Sequence, residues 1–191
     1  GANNTAVGAY ALDANTTADS NTGIGVHSLG SNTTGTRNTG IGRASVFTNT
    51  TGDDNTGLGY YALVSATTAS DNTAVGSSAM ENTTTGHSNV AVGFEVLKQN
   101  TTGSENTAVG YQALTANTTA DNNVAIGRLA LSANTTGTGN TSIGAATMQV
   151  NTTASNNTAV GLSALAVNAA GSGNTAVGAI ALDANTSGVS N

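Results

Sequence analysis

The side chains that could do acid–base or metal chemistry are few and widely spaced in this sequence. His27 and His87 are the only histidines and lie 60 residues apart, and the chain has no cysteine. Asp53, Asp54 and Asp71 are close enough in sequence to suggest a calcium site, because Ca²⁺ prefers clustered carboxylates. We nevertheless expect a solvated acidic edge there, and we predict no catalytic residues, no metal and no cofactor.

Charge and hydropathy exclude several further classes of ligand and location. Lys and Arg number 4 against 10 Asp and Glu, so the net charge is −6 and we expect no nucleic-acid binding. Gly23-Ile24-Gly25 resembles a glycine-rich phosphate loop, but the Lys and Ser/Thr of such a loop do not follow. No stretch approaches the roughly 18 apolar residues of a membrane span. We therefore predict a chain that is not an enzyme and has no membrane span.

Asn-Thr-Thr segments fit the acceptor pattern of N-linked glycosylation. Abundant Asn and Thr make such matches frequent, so the alternative is that these residues form bends and side-chain ladders without a sugar. The sequence leaves both readings open. The candidate acceptors are Asn15, Asn32, Asn49, Asn82, Asn100, Asn117, Asn134, Asn151 and Asn185.

The sequence repeats every 17 residues. An Asn recurs twelve times at this spacing, from Asn4 to Asn191, and we number the positions of each repeat from it. Position 4 is aliphatic, position 5 is glycine, and position 9 is Leu, Met or Val in all eleven repeats, which run from 4–20 to 174–190. Position 3 is always small, and positions 12 to 14 are Asn-Thr-Thr in seven repeats and Asn-Thr-Ser in an eighth. Such columns are expected when repeats stack and residues of equal position become neighbours.

The repeat length and composition favour a β-solenoid. Asn, Thr, Ala and Gly supply 116 of 191 residues, so no thick hydrophobic core is expected, yet the absence of proline and the low net charge argue against disorder. Seventeen residues are too few for the paired helices of helical repeats. We predict an all-β fold, a parallel β-solenoid (β-roll or β-helix) of eleven 17-residue coils that forms one segment over residues 1–191. A strand plus one helical turn per coil is the alternative.

The repeat pattern also predicts the parts of each coil. We expect a strand over positions 2 to 4 whose position-2 side chain faces inward, as Val90 and Val124 suggest, and a second short strand over positions 8 and 9. Glycine at position 5 predicts a corner that residues with a Cβ cannot adopt, and position 15 predicts another. Asn at positions 1 and 12 is expected at bends and in ladders.

The scarcity of large apolar side chains predicts assembly. Apolar burial within one chain falls short of the entropy lost on ordering it, so we expect burial against other chains, with the small residues at positions 3 and 8 at the contact. Tyr60, Tyr61, Phe94 and Tyr111 form a candidate aromatic strip for sugars or a partner chain.

Asn89-Val90-Ala91-Val92-Gly93 and Asn123-Val124-Ala125-Ile126-Gly127 resemble the head repeats of trimeric autotransporter adhesins. The wider unit also resembles repeats of phage tail fibres and bacterial surface fibre proteins, and the resemblance covers all eleven repeats. It implies a left-handed parallel β-roll, often trimeric, that serves as a stalk or adhesive head. The adhesin unit is shorter than 17 residues, which leaves room here for a third side in each coil.

We therefore expect a structural protein that forms the rod of an extracellular fibre or filament: an adhesin stalk, a phage fibre shaft or a self-assembling filament. Its expected location is a cell surface, a secreted filament or a virion fibre, and the segment is expected to belong to a longer chain. The expected partners are copies of itself, as a trimer or helical filament, and surface glycans. The alternatives are an ice-binding β-solenoid that uses Thr ladders and a glycan-binding receptor module.

Overall fold

A computed structural model describes residues 1–191, and one three-residue strand recurs at positions 2 to 4 of every coil. The eleven strands form one parallel sheet in chain order, with equal positions opposite each other. The predicted all-β solenoid of 17-residue coils is confirmed. The strands are β1 (Thr5–Val7), β2 (Thr22–Ile24), β3 (Thr39–Ile41), β4 (Thr56–Leu58), β5 (Thr73–Val75), β6 (Val90–Val92), β7 (Thr107–Val109), β8 (Val124–Ile126), β9 (Thr141–Ile143), β10 (Thr158–Val160) and β11 (Thr175–Val177).

Hydrogen bonds between coils extend well beyond these strands. The chain has 119 backbone–backbone hydrogen bonds, and only 20 of them lie within the strands. At position 13, the N–H of Thr33 donates to the carbonyl of Thr50 at 3.1 Å, and at position 17 the N–H of Arg37 donates to Asp19 at 3.2 Å. The coil is therefore joined to its neighbours around its perimeter, which makes the stack a continuous rod.

Left-handed residues shape the segment after the strand. Positions 7 and 9 have a positive φ in every coil, as in His27 at 60° and Leu29 at 51°. A strand needs extended residues throughout, so the predicted second strand over positions 8 and 9 is wrong, and the alternative helical turn is absent too. A left-handed non-glycine residue costs roughly 1–2 kcal/mol, and the buried position-9 side chain and inter-coil hydrogen bonds offset that cost.

The chain also forms no helix of the length and apolarity that crossing a bilayer requires.

The strand faces the interior with its small residue. Ala74, Ala91, Ala108 and Ala125 at position 3 are fully buried, whereas Val90 at position 2 is 38% exposed. The expected inward face at position 2 is therefore wrong. The interior is too narrow for two rows of large side chains, because Leu, Met or Val at position 9 already fills it. The aliphatic residues at position 4 consequently lie at the surface.

The small residues at positions 3 and 8 pack inside their own chain, so their expected role as contacts between chains is wrong. Ser28 at position 8 donates its hydroxyl proton to the carbonyl of Gly40, at position 3 of the next coil, at 2.7 Å. A Cβ at Gly40 would lie 2.6 Å from the Ser28 Oγ. The two positions are thus matched in size across neighbouring coils.

The corner predicted at position 5 is confirmed. Gly110 has a φ of 126°, and an added Cβ would lie 2.8 Å from the backbone C and O of Gly127. Both the backbone conformation and the close approach of the next coil therefore require glycine here.

Candidate functional site

Two ladders of buried Asn side chains run along the rod, one at position 1 and one at position 12. In the first, the Asn106 Nδ2 donates to the Oδ1 of Asn89 at 3.1 Å and to the carbonyl of Ala120 at 2.9 Å. In the second, the Asn117 Nδ2 donates to the Oδ1 of Asn100 at 2.8 Å and to the same Ala120 carbonyl at 3.0 Å. The predicted side-chain ladders are confirmed, although Ala66 and Thr83 interrupt the second one, and the position-15 carbonyl joins the two ladders in coils such as this one.

Most of the candidate glycan acceptors belong to the position-12 ladder. Their Nδ2 atoms would need to enter solvent to carry a sugar, whereas here they donate hydrogen bonds inside the coil. Asn15 and Asn185 are partly buried, and glycosylation of any of the nine stays a prediction. The fully buried members are Asn32, Asn49, Asn100, Asn117, Asn134 and Asn151.

Asn82 differs from these residues because it lies one position earlier in its coil. Its Nδ2 donates to the Oε1 of Gln99 at 3.0 Å in an exposed contact. Asn82 is followed by Thr83 and Thr84. It is therefore the candidate acceptor whose carboxamide the folded chain places nearest to solvent.

The acidic residues at positions 16 and 17 are used within the chain. The Asp53 Oδ1 accepts hydrogen bonds from the N–H of Thr36 at 2.6 Å and from its hydroxyl at 2.9 Å. Asp54 forms an ion pair with Arg37 at 2.6 Å, and the hydrogen bond from Arg37 lowers the pKa of Asp54. No three His, Asp or Glu side chains are grouped so as to hold a metal ion. These carboxylates join neighbouring coils.

The expected aromatic strip divides into two separate pairs. Phe94 and Tyr111 stack between neighbouring coils with ring centroids 5.6 Å apart, and Tyr60 and Tyr61 stack within one coil at 4.1 Å. The guanidinium of Arg43 lies 5.7 Å from the centroids of both tyrosine rings. That second pair is therefore already occupied by a cation from its own chain.

A third aromatic group, which the sequence reasoning missed, borders a surface cleft of about 270 Å³ in coils 1 to 3. It includes His27. His87 lies exposed far from it, where its backbone N–H donates to the Ser104 Oγ and its Nδ1 lies 3.3 Å from the Ser88 Oγ. The sequence carries a signal for this group. Gly30 is the only glycine at position 10, and the position-10 residues of the two neighbouring coils are Asp13 and Phe47. The cleft is bordered by Tyr10, Asp13, His27, Gly30, Ser31 and Phe47.

The outward side of the sheet carries the most regular surface of the rod. It consists of positions 2 and 4 of β1 to β11, and we call it the Thr/aliphatic face. Position 2 is Thr in nine coils and Val in two, position 4 is Val, Ile or Leu in all eleven, and none of these residues is charged. The more exposed position-4 residues include Ile24 at 37%, Leu58 at 41% and Ile126 at 38%.

Threonine hydroxyls differ between this face and the Asn-Thr-Thr column. At position 13, the hydroxyl of Thr33 donates to the carbonyl of Thr50 at 2.8 Å, and that of Thr101 donates to Thr118 at 2.9 Å. The position-2 hydroxyls, such as those of Thr107 and Thr141, have no hydrogen-bond partner in the chain. Threonines with free hydroxyls therefore form regular rows on the strands and also at position 14, the third residue of the Asn-Thr-Thr segments, but not at position 13.

Comparison of the chain with protein-family models, with curated proteins and with solved structures found no match.

Proposed function

We propose that this chain is a structural segment, the rod of an extracellular fibre or filament, and that it associates with copies of itself through the Thr/aliphatic face. The observation that carries the proposal is the aliphatic column at position 4, which is exposed in six coils, half-buried in the other five and uncharged in all eleven. The extracellular location is supported by the resemblance to adhesin and phage fibre repeats.

The size of this face supports a second copy as its partner. Eleven strands at about 4.8 Å give a length of about 50 Å, and two columns give a width of about 10 Å, so the face covers roughly 500 Å². That is comparable with the largest surface patch of a typical monomer, which is often functional. Two such faces in contact would bury about 1,000 Å², the lower bound for a specific interface.

The periodicity supports the same partner. Two parallel copies share one coil spacing, so each position-4 side chain meets an equivalent neighbour along the whole contact. A partner without this spacing would lose register within a few coils. The affinity of the contact is therefore expected to grow with the number of coils.

Sedimentation velocity tests the association. We expect the wild-type chain to sediment as an oligomer and a Val92→Lys/Val109→Lys variant as a monomer, because apposed lysines would repel each other and be desolvated. Thr102→Lys/Thr119→Lys is the matched control, since it adds the same charges in the same two coils at exposed position 14 and should sediment as the wild type does. A monomeric wild-type chain would contradict the proposed association.

Immunogold electron microscopy of the native source tests the fibre role. Antibodies against this chain should label rods that project from a cell or particle surface or form free filaments. Labelling confined to the cell interior would contradict the proposed role.

Ice binding is the second candidate, and the free hydroxyls of the Thr/aliphatic face favour it. Threonines recur every 4.8 Å or so along the rod and lie about 7 Å from the aliphatic column, which gives a flat lattice of hydroxyl and methyl groups that can order water. The free hydroxyls of the strand threonines therefore support the Thr/aliphatic face as the candidate ice-binding surface.

Thermal hysteresis discriminates the two functions. Ice binding requires an open face on the soluble monomer, and Thr73→Lys should abolish hysteresis while the position-14 control Thr85→Lys in the same coil retains it. Absence of hysteresis in the wild-type monomer would exclude this second function.

A further inference from the structure

Gly30, one of the residues that border the cleft in coils 1 to 3, lacks a side chain. It is the only glycine at position 10, and its φ is outside the left-handed region, so the backbone does not require glycine there. A Cβ at Gly30 would lie 2.9 Å from Cε2 of Phe47, so the Phe47 ring already occupies that space. Glycine therefore allows Phe47 to pack against the backbone, where its ring borders the cleft.

Aromatic rings form an apolar wall of this cleft. Tyr10 and His27 stack between coils 1 and 2 with their centroids 4.9 Å apart and an interplanar angle of 7°. Phe47 meets the His27 ring at 5.6 Å and 73°. The three rings hold one another in place, so the wall is formed before any ligand arrives.

Polar groups with unused hydrogen-bonding capacity complete the lining. The Asp13 carboxylate, the Ser31 hydroxyl and the ring nitrogens of His27 make no hydrogen bond or ion pair with other residues of the chain. Neither Lys nor Arg borders the cleft, so an anionic ligand would have no counter-charge. The cleft thus offers acceptors and donors beside an apolar wall.

We propose that this cleft binds the ring of a neutral pyranose sugar. A pyranose has a face of C–H groups that packs on aromatic rings and a rim of hydroxyls that bond carboxylate, hydroxyl and imidazole groups, and so it uses every feature of the lining. A volume of about 270 Å³ suits one such ring. An alkylammonium ion would use the Asp13 carboxylate but leave Ser31 and His27 without partners.

The Tyr60–Tyr61 pair provides an internal contrast. Arg43 from the neighbouring coil already covers those rings, and no opening forms beside them. None of the residues that line the cleft belongs to the Thr/aliphatic face. Sugar binding at the cleft is therefore independent of self-association and of the proposed rod function.

Titration of the ¹⁵N-labelled chain, followed by ¹H–¹⁵N correlation spectra, tests the proposal. The probes are methyl α-D-glucopyranoside, methyl α-D-mannopyranoside, D-galactose and N-acetyl-D-glucosamine, with choline as the cationic comparison. We expect at least one sugar to shift amide signals of coils 1 to 3 only, with a Kd on the order of 1 mM, a common strength for a small ligand with few contacts.

Variants link the shifts to the cleft. Gly30→Val should weaken sugar binding at least about tenfold, because its side chain would clash with the Phe47 ring and displace that wall of the cleft. Position 10 already accepts valine at Val64. Ala166→Val is the matched control, since it adds valine at position 10 of a coil without a cleft and should bind as the wild type does. Asp13→Asn keeps the shape and should weaken binding by removing the charged acceptor.

The outcomes separate cleanly. Circular dichroism and the signals of coils 5 to 11 show whether Gly30→Val remains folded, and Asp13→Asn serves as the second variant if it does not. Absence of shifts with every sugar, equal shifts in Gly30→Val and the wild type, or shifts with choline alone would each overturn the proposal.

Discussion

Two aliphatic columns run the length of the rod, and they lie in opposite surroundings. The position-9 column is interior, with Leu63, Leu97 and Leu114 fully buried, whereas the position-4 column lies on the surface. Both are aliphatic in all eleven coils. A repeat position that is occupied by the same type of residue in every coil can therefore have either of two causes. One is crowding inside the chain, and the other, which we assign to the Thr/aliphatic face, is contact with something outside it.

The largest expected effect separates these columns directly. Leu114→Ala should lower the free energy of unfolding by about 2–5 kcal/mol, because it leaves a cavity in a narrow interior. Val109→Ala removes part of a surface side chain and should cost less than about 1 kcal/mol. Urea unfolding monitored by circular dichroism, at concentrations where the chain is monomeric, measures both. Equal losses would show that position 4 is interior.

The Asn ladder provides the next prediction. Asn106→Ala leaves the buried Asn123 N–H without its acceptor, the Asn106 Oδ1 at 3.0 Å, whereas the Ala120 carbonyl keeps the hydrogen bond from Asn117. Each buried group left without a partner costs about 1–3 kcal/mol. Asn82→Ala, at the surface, should change the free energy of unfolding by less than about 0.5 kcal/mol. Urea unfolding measures both variants. If the two variants were equally stable, the ladder would contribute nothing to stability.

The size match between positions 3 and 8 predicts a smaller, reversible effect. Gly40→Ala places a methyl group 2.6 Å from the Ser28 hydroxyl and should cost about 1 kcal/mol. Ser28→Ala in the same chain should restore much of that loss, because it removes the clashing atom. A double-mutant cycle measures the coupling, and strict additivity would contradict the match.

Surface charges should have the smallest effect. Glu95 accepts hydrogen bonds from Lys98 and Gln112, both at 2.7 Å, and these lower its pKa below 4.5, while Glu95 raises the pKa of Lys98 above 10.5. The group therefore stabilises the fold between these ordinary values. Its contribution is lost as the pH falls through the lowered pKa of Glu95 or rises through the raised pKa of Lys98.

Glu95→Gln measures this contribution, which should be about 0.2–1 kcal/mol because the side chains are partly solvated. The stability difference between Glu95→Gln and the wild type should be present at pH 7 and should vanish once the pH falls below the lowered pKa of Glu95. A difference that persists in acid would assign the effect to packing.

Much of the architecture could be predicted from the columns of the sequence. The 17-residue spacing indicated the coil, glycine at position 5 indicated the corner, and Asn at positions 1 and 12 indicated the ladders. The inward face could not be predicted, because a Thr-small-aliphatic strand normally buries its aliphatic residue. Here the narrow coil holds only Leu114 and its equivalents, so the side chain of Val109 is displaced to the surface.

The turn conformations and the cleft had weaker signals. His27 and Leu29 adopt left-handed backbone conformations, which neither residue favours by itself. These conformations could therefore be recognised only in the folded stack of coils. The glycan-acceptor pattern depends only on the residue types at and after Asn117 and its equivalents, so it gives no information on their burial. Gly30 was detectable as an exception at its position, yet its meaning depended on the neighbouring rings of His27 and Phe47.

Pairing between equal positions gives the rod a simple response to changes in its gene. Deleting residues 72–88 would bring β4 beside β6, with Thr, small and aliphatic residues opposite residues of the same position. The position-1 Asn ladder and the glycine corners would rejoin in the same way. Loss or duplication of seventeen codons therefore changes the length of the rod by one coil and requires no new interface, so recombination between repeats can adjust the length of the rod without altering its cross-section.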